Sequence, residues 1–129
     1  MHRLPLLSLA LGCALAAAGP ALGAPPTEFP AAAGPLEAAA LDERVRGRVF
    51  TADAADGKRW RMEYTRGGHL FVNVYPSFAD DGPFEVQGSQ VCVTLKKSGA
   101  SCSEYRSDAG GTLYLKRASN GEILTLRPD

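Results

Sequence analysis

From Arg48 onward, apolar and polar residues alternate with a period of two. Trp60, Met62 and Tyr64 alternate with Arg59, Arg61, Glu63 and Thr65. Successive side chains of a strand point to opposite faces, so this segment reads as a strand with one apolar and one charged face. Gly67-Gly68 marks a turn, and His69–Tyr75 reads as the return strand. Leu70, Val72 and Val74 share one of its faces, while Phe71 and Tyr75 share the other. Pro76–Pro83 reads as a loop turning at Asp80-Asp81-Gly82, followed by a short strand over Phe84–Val86. Four further strands are predicted over Ser89–Lys96, Ser101–Arg106, Thr112–Arg117 and Glu122–Arg127, with Val91, Val93 and Leu95 alternating inward. Their turns are Lys97-Ser98-Gly99, Asp108-Ala109-Gly110-Gly111 and Ser119-Asn120-Gly121, the last offering the Asn-Gly pair that tight hairpins favour. Turn signals about 8–12 residues apart predict an all-β fold. Its form is a small antiparallel meander barrel or sandwich of about 7–8 strands.

The segments ahead of the strands follow other rules. A basic start (His2, Arg3), an apolar run from Leu4 to Gly19 and the small-residue site Ala21-Leu22-Gly23 have the order of a secretory signal peptide. The run is broken by Pro5, Ser8 and Gly12, whereas a membrane-spanning helix needs about 20 mostly apolar residues. Ala10-Leu11-Gly12-Cys13 raises a second outcome, a lipoprotein anchored through Cys13. Ala24–Ala33 is rich in proline and alanine and reads as an extended tether. Pro35–Arg46 offers a short helix with proline at its first position, Gly47 as its stop, and Leu36, Ala39, Ala40 and Val45 near one stripe. The predicted division is a signal peptide over 1–23, a Pro/Ala-rich tether running into a helix start over 24–40, and a β-domain over 41–129.

Charge and cysteine usage narrow the class. The chain has 14 basic and 14 acidic residues with no long run of either sign, which argues against nucleic acid as a partner. Removal of a signal peptide leaves two of the three cysteines, Cys92 and Cys102. In an oxidising compartment such a pair reads as one disulfide. If Lys97 centres its hairpin, residues 92 and 102 face each other across it, on the face away from Val91 and Val93. Their spacing is not the C-x-x-C of a redox site. A domain of this length buries only about 60–65% of its unfolded surface, so a covalent clip would matter.

Catalytic chemistry is sparse. Outside the predicted signal the only histidine is His69, too few for a histidine-based metal site. No serine sits in a G-x-S-x-G elbow. Asp53-Ala54-Ala55-Asp56-Gly57 and Asp80-Asp81-Gly82 lack a calcium-loop pattern. Gly67-Gly68 and Gly110-Gly111 precede no helix and so form no phosphate cradle. No metal, cofactor or catalytic set is expected. Trp60, the only tryptophan, reads first as a core anchor and second as a pocket wall. Together with Tyr64, Phe71, Tyr75, Phe78, Asp80 and Asp81 it makes up the candidate ligand or partner surface. The loops Pro76–Pro83 and Lys96–Ser101 are the segments expected to carry function.

One resemblance adds to this reading. Asp56-Gly57-Lys58, Trp60, Glu63-Tyr64, a glycine turn, Gly82-Pro83-Phe84-Glu85-Val86, Gly88, Val91-Cys92, Cys102 and Gly121-Glu122 form a pattern similar to that of an uncharacterised family of small exported proteobacterial proteins. Those proteins often have tryptophan where Phe84 stands. The resemblance spans about two-thirds of the mature chain and implies a periplasmic β-domain; it carries no catalytic residue. In size and cysteine use the domain also resembles, generically, bacterial periplasmic lysozyme inhibitors. The expected function is that of an exported, monomeric, periplasmic or secreted binding module without a transmembrane segment. Its expected partner is an envelope protein or a small apolar ligand. Two alternatives are a small envelope hydrolase using His69 and a structural or lipid-anchored envelope protein.

Overall fold

The computed structural model describes residues 24–129. The expected signal peptide and Cys13 lie outside the described residues. In chain order the elements are β1 (Gly34–Pro35), α1 (Ala38–Val45), β2 (Arg48–Asp53), β3 (Arg59–Tyr64), β4 (His69–Tyr75), β5 (Phe78–Gln87), β6 (Gln90–Leu95), β7 (Gly99–Ser107), β8 (Leu113–Lys116) and β9 (Ile123–Pro128). From β2 to β9 each strand pairs antiparallel with the next. β9 then returns to β2 through Phe50–Pro128 and Thr51–Arg127. The result is a closed eight-stranded meander barrel, which resolves the barrel-or-sandwich alternative. β1 is an added strand on β7, pairing Gly34 with Ser107 and Pro35 with Arg106, beyond the stretch of β7 that β6 covers.

Alternation places the core inside the ring. Met62, Tyr64, Leu70, Val72, Val74, Phe84, Val91, Tyr105, Leu113, Leu115, Leu124 and Leu126 are buried together. Their outward neighbours include Arg59, Arg61, Glu63, Asp81, Glu85, Glu104 and Arg106. A barrel that spans a membrane needs an apolar outer band; this one has its apolar face within. Among the described residues no helix is long and apolar enough to cross a membrane.

Helix α1 plugs one end of the barrel. Leu41 and Val45, one turn apart, are fully buried. The plug is tied to the loops of that end. The Leu36 amide donates to Ser89 Oγ, and Arg44 reaches Ser107 Oγ and the Gly111 carbonyl. Arg46 grips Asp42 at 2.7 Å and lies over the Phe84 ring. Gly47 (φ +74°) ends the helix, and its amide donates to the Tyr64 carbonyl. The helix departs in detail from its sequence reading. Pro35 belongs to β1, and the N-cap is Glu37. Ala39 and Ala40 are exposed, because the two larger side chains at i, i+4 set the buried line.

Three other segments differ from the sequence pattern. Ala24–Ala33 has no regular element, as its prolines dictate, yet it is strapped to the barrel. The Ile123 amide donates to the Pro26 carbonyl at 2.7 Å, Phe29 lies under the Arg106 guanidinium at 4.7 Å, and Ala33 is buried. The expected Pro76–Pro83 loop is a turn of only Pro76-Ser77, and Asp80-Asp81-Gly82 is strand, paired with β4. Aspartate and glycine there are not turn residues. Asp80, Gly82, Phe84 and Val86 all alternate inward, and a Cβ on Gly82 would fall 1.8 Å from the Thr94 carbonyl oxygen. Glycine thus lets β5 coil tightly against β6. At Asn120-Gly121 only the glycine takes positive φ (+75°); the Asn120 side chain instead accepts the Glu122 amide at 3.0 Å.

Cys92 and Cys102 form the expected disulfide as directly facing residues, with Cα atoms 4.0 Å apart. It lies on the outer face, across a turn completed by Gly99 (φ +83°). Closing so short a loop is worth about 2–3 kcal/mol in the chain-entropy model. A Cys92→Ser/Cys102→Ser variant, followed by urea denaturation beside the oxidised protein, is expected to lose about that much. Gly82→Ala is expected to lose at least about 2 kcal/mol by overpacking. Gly34→Ala, where a Cβ meets nothing within 4 Å, is expected to remain close to wild type in the same assay.

Candidate binding site at the open end of the barrel

Opposite the α1 plug the barrel is open among the described residues. A cavity of about 580 Å³ enters there, within the size range of small-molecule sites. Its walls follow from the inward alternation of each strand. β3 contributes Trp60 and Met62; β4 contributes Leu70, Val72 and Val74; β6 contributes Val91, Val93 and Leu95; β8 contributes Leu115. β7 differs, because its inward positions are Ser101, Ser103 and Tyr105. Where β4, β6 and β8 fill the interior with Val or Leu, β7 supplies two small hydroxyls. The interior is therefore left hollow and polar along one side.

Beneath the cavity, large aromatic side chains occupy the interior of the closed end. The Tyr64 and Tyr105 hydroxyls hydrogen-bond to each other. Tyr64 packs edge-on against Phe50 and Phe84. Burial pushes both phenols above the usual tyrosine range, so they stay neutral and fix a floor.

The mouth is held by two buried carboxylates. Glu122 accepts the Ala55 amide at 2.8 Å and pairs with Arg117 at 2.9 Å. The Arg117 guanidinium lies 4.6 Å from the Trp60 ring centroid. Trp60 therefore stands in the wall under a fixed cation; its indole N–H is buried without a hydrogen-bond partner. Asp80 accepts the Asp81, Lys97 and Ser98 amides at 2.9, 3.0 and 2.9 Å, and the Ser98 hydroxyl at 2.7 Å. Burial acts to raise its pKa, but these donors outweigh burial and hold it below the usual carboxylate value. Lys97 donates to the Ala79 carbonyl at 2.6 Å, with its ammonium 5.5 Å from the Phe78 ring centroid.

The candidate surface drawn from sequence is thus divided three ways. Trp60 and Phe78 both line the cavity, with Asp80 beneath the adjoining turn. Tyr64 belongs to the closed end. Phe71 and Tyr75 lie on the outer face, 41% and 50% exposed, and Asp81 is outside as well. Hydrogen bonds from Lys96 (2.9 Å) and then His69 (2.7 Å) hold Asp81 below the usual carboxylate range. His69 therefore has the carboxylate partner that a hydrolase would need. However, among the described residues no hydroxyl or thiol hydrogen-bonds to its ring, and it lies outside the cavity. No group of three or more metal-ligating side chains occurs among the described residues. The sequence places Lys97 and Ser101 in a loop expected to carry function, although Ser101 lies within β7; it does not mark Ser103, Lys58 or Arg117 as site residues. The one available signal was parity: facing Val91 and Val93 across the hairpin puts Ser103 and Ser101 inside.

The chain matches no protein-family model, no curated protein and no solved structure, so geometry alone bears on its function.

Asp80→Asn keeps the shape but replaces one accepting oxygen with an NH2 that faces N–H donors of the β6–β7 turn, with an expected cost of about 2 kcal/mol at pH 7. A carboxylate with a lowered folded-state pKa stabilises above its unfolded value, near pH 4, and loses that contribution as pH falls through the folded value. The gap between wild type and Asp80→Asn is accordingly expected to narrow between pH 5 and pH 2, read by urea denaturation at each pH.

Proposed function

We propose that this protein is an exported binding module that takes a small apolar ligand into the open end of its barrel. The observation that carries the reading is the cavity of about 580 Å³. It is walled by Trp60, Val72, Val74, Val93 and Leu95 and stoppered at its far end by α1. Small barrels are filled by side chains or hold one ligand, and here the serines of β7 leave the volume unfilled. Export is supported by the leader-like pattern of residues 1–23 and by the formed Cys92–Cys102 bond, which persists in an oxidising compartment.

The neutral fluorophore N-phenyl-1-naphthylamine serves as probe. It is expected to bind the oxidised protein with one-to-one stoichiometry and enhanced emission. Ser103→Phe, which puts a ring into the hollow, is expected to weaken binding at least about tenfold while retaining the barrel's circular dichroism. Phe71→Ser/Tyr75→Ser, on the outer face, is expected to leave affinity unchanged. No binding by wild type, or equal binding by Ser103→Phe, would sink the reading. Loss on the outer-face variant alone would move the site to Phe71 and Tyr75 and favour a protein partner.

A further inference from the structure

We infer that the ligand is a single-chain amphiphile with a carboxylate head, its hydrocarbon inside the barrel and its charge at Lys58 and Lys97. The inference rests on the binding reading above and adds a head group to it. It follows from the balance of charge around the mouth. The acids of this end are engaged by the protein itself. Glu122 is committed to Arg117 and the Ala55 amide, Asp80 to the Lys97-Ser98 turn, Asp53 to Arg59 and Arg127, and Asp81 to His69 and Lys96.

The cations are not matched in the same way. Among the described residues, neither Lys58 nor Lys97 has a carboxylate within ion-pair distance. Lys58 lines the cavity, and the Lys97 ammonium lies over Phe78, another lining residue. The remaining acid in the lining is Asp56, whose carboxylate accepts the Lys58 backbone N–H at 2.9 Å. Two lysines against one aspartate leave the rim positive, above walls that are mostly hydrocarbon. Low-dielectric walls strengthen such a field at the opening. A neutral apolar ligand would leave Lys58 and Lys97 without a counter-ion, Lys97 held only by the Ala79 carbonyl and the Phe78 ring. An acyl chain fills the hollow and brings its anion to the rim that carries both lysines, where Ser101 also lines the cavity.

Trp60, the sole tryptophan, lies in the wall and reports occupancy by its own fluorescence. The test titrates the oxidised full chain with dodecanoate and with dodecanol, both below their aggregation limits, and repeats both titrations on Lys58→Gln/Lys97→Gln. Wild type is expected to bind dodecanoate about tenfold more tightly than dodecanol. The variant is expected to lose most of that preference while binding dodecanol unchanged, and raised salt is expected to lower the wild-type preference. Equal wild-type affinity for the two compounds overturns the head-group assignment and leaves the apolar reading standing. A preference that persists in the variant overturns the role of these lysines. If neither compound moves Trp60 emission and N-phenyl-1-naphthylamine also fails to bind, the binding reading itself falls.

Discussion

Ring closure between β2 and β9 is the constraint on which the rest of the structure depends. Seven of the barrel's eight neighbour relations are hairpins, local in sequence; only this one joins residues near 50 to residues near 128. Without it the meander would be an open sheet with two exposed edges and an apolar face uncovered. With it, every inward side chain faces another across a common interior. The seam is short: two paired positions and the Asp129 amide on the Val49 carbonyl. It is reinforced at the open end, where Glu122, just before β9, holds the amide of Ala55, just after β2. Pro26 also binds the Ile123 backbone there. Short-range pairing builds most of the wall, and a few long-range contacts make it a barrel.

Closure alone does not decide whether a barrel is filled. The two ends of this one reach opposite outcomes through their inward residues. At the closed end, Phe50, Tyr64, Phe84 and Tyr105 are large, and α1 adds Leu41 and Val45 over them. Their two hydroxyls satisfy each other, so polar atoms enter the core with a partner. At the open end the matching layer of β7 is Ser101 and Ser103, and among the described residues no helix covers it. The same fold thus gives a packed core over half its depth and a hollow over the other half.

Alternation made the strands legible in the sequence, because Trp60–Tyr64, His69–Tyr75 and Val91–Leu95 carry a period that only a one-sided strand explains. The facing of Cys92 and Cys102 followed from the turn between them. Long-range features were illegible for physical reasons. Asp80-Asp81-Gly82 has the chemistry of a turn, and nothing local tells a reader that Lys97 and Ser98 will come to satisfy Asp80, or that Thr94 will press against Gly82. The proline-rich lead segment was correctly non-helical, but its docking depends on Ile123 and Arg106, far away in sequence. The candidate site was legible only in part. Trp60 and Phe78 are conspicuous as aromatics, whereas the hollow arises from what is small, and serines in a strand draw no notice until the barrel closes around them.

The two buried carboxylates, Asp80 and Glu122, explain why the mouth can act as a site and not merely as a gap in packing. A buried charge is costly unless it is fully bonded, and each of these is bonded to a loop of the open end. Glu122 fixes the start of the β2–β3 connection, which carries Lys58, and holds Arg117 against Trp60. Asp80 fixes the β6–β7 turn, which carries Lys97 and Ser98, and the Cys92–Cys102 bond staples the same hairpin from outside. The two lysines of the rim thus stand on backbone positioned before any ligand arrives. Such preorganisation lowers the ordering cost of binding. It also accounts for the placement of both buried acids at the end away from α1: the open end, which must stay hollow, is ordered by buried charge.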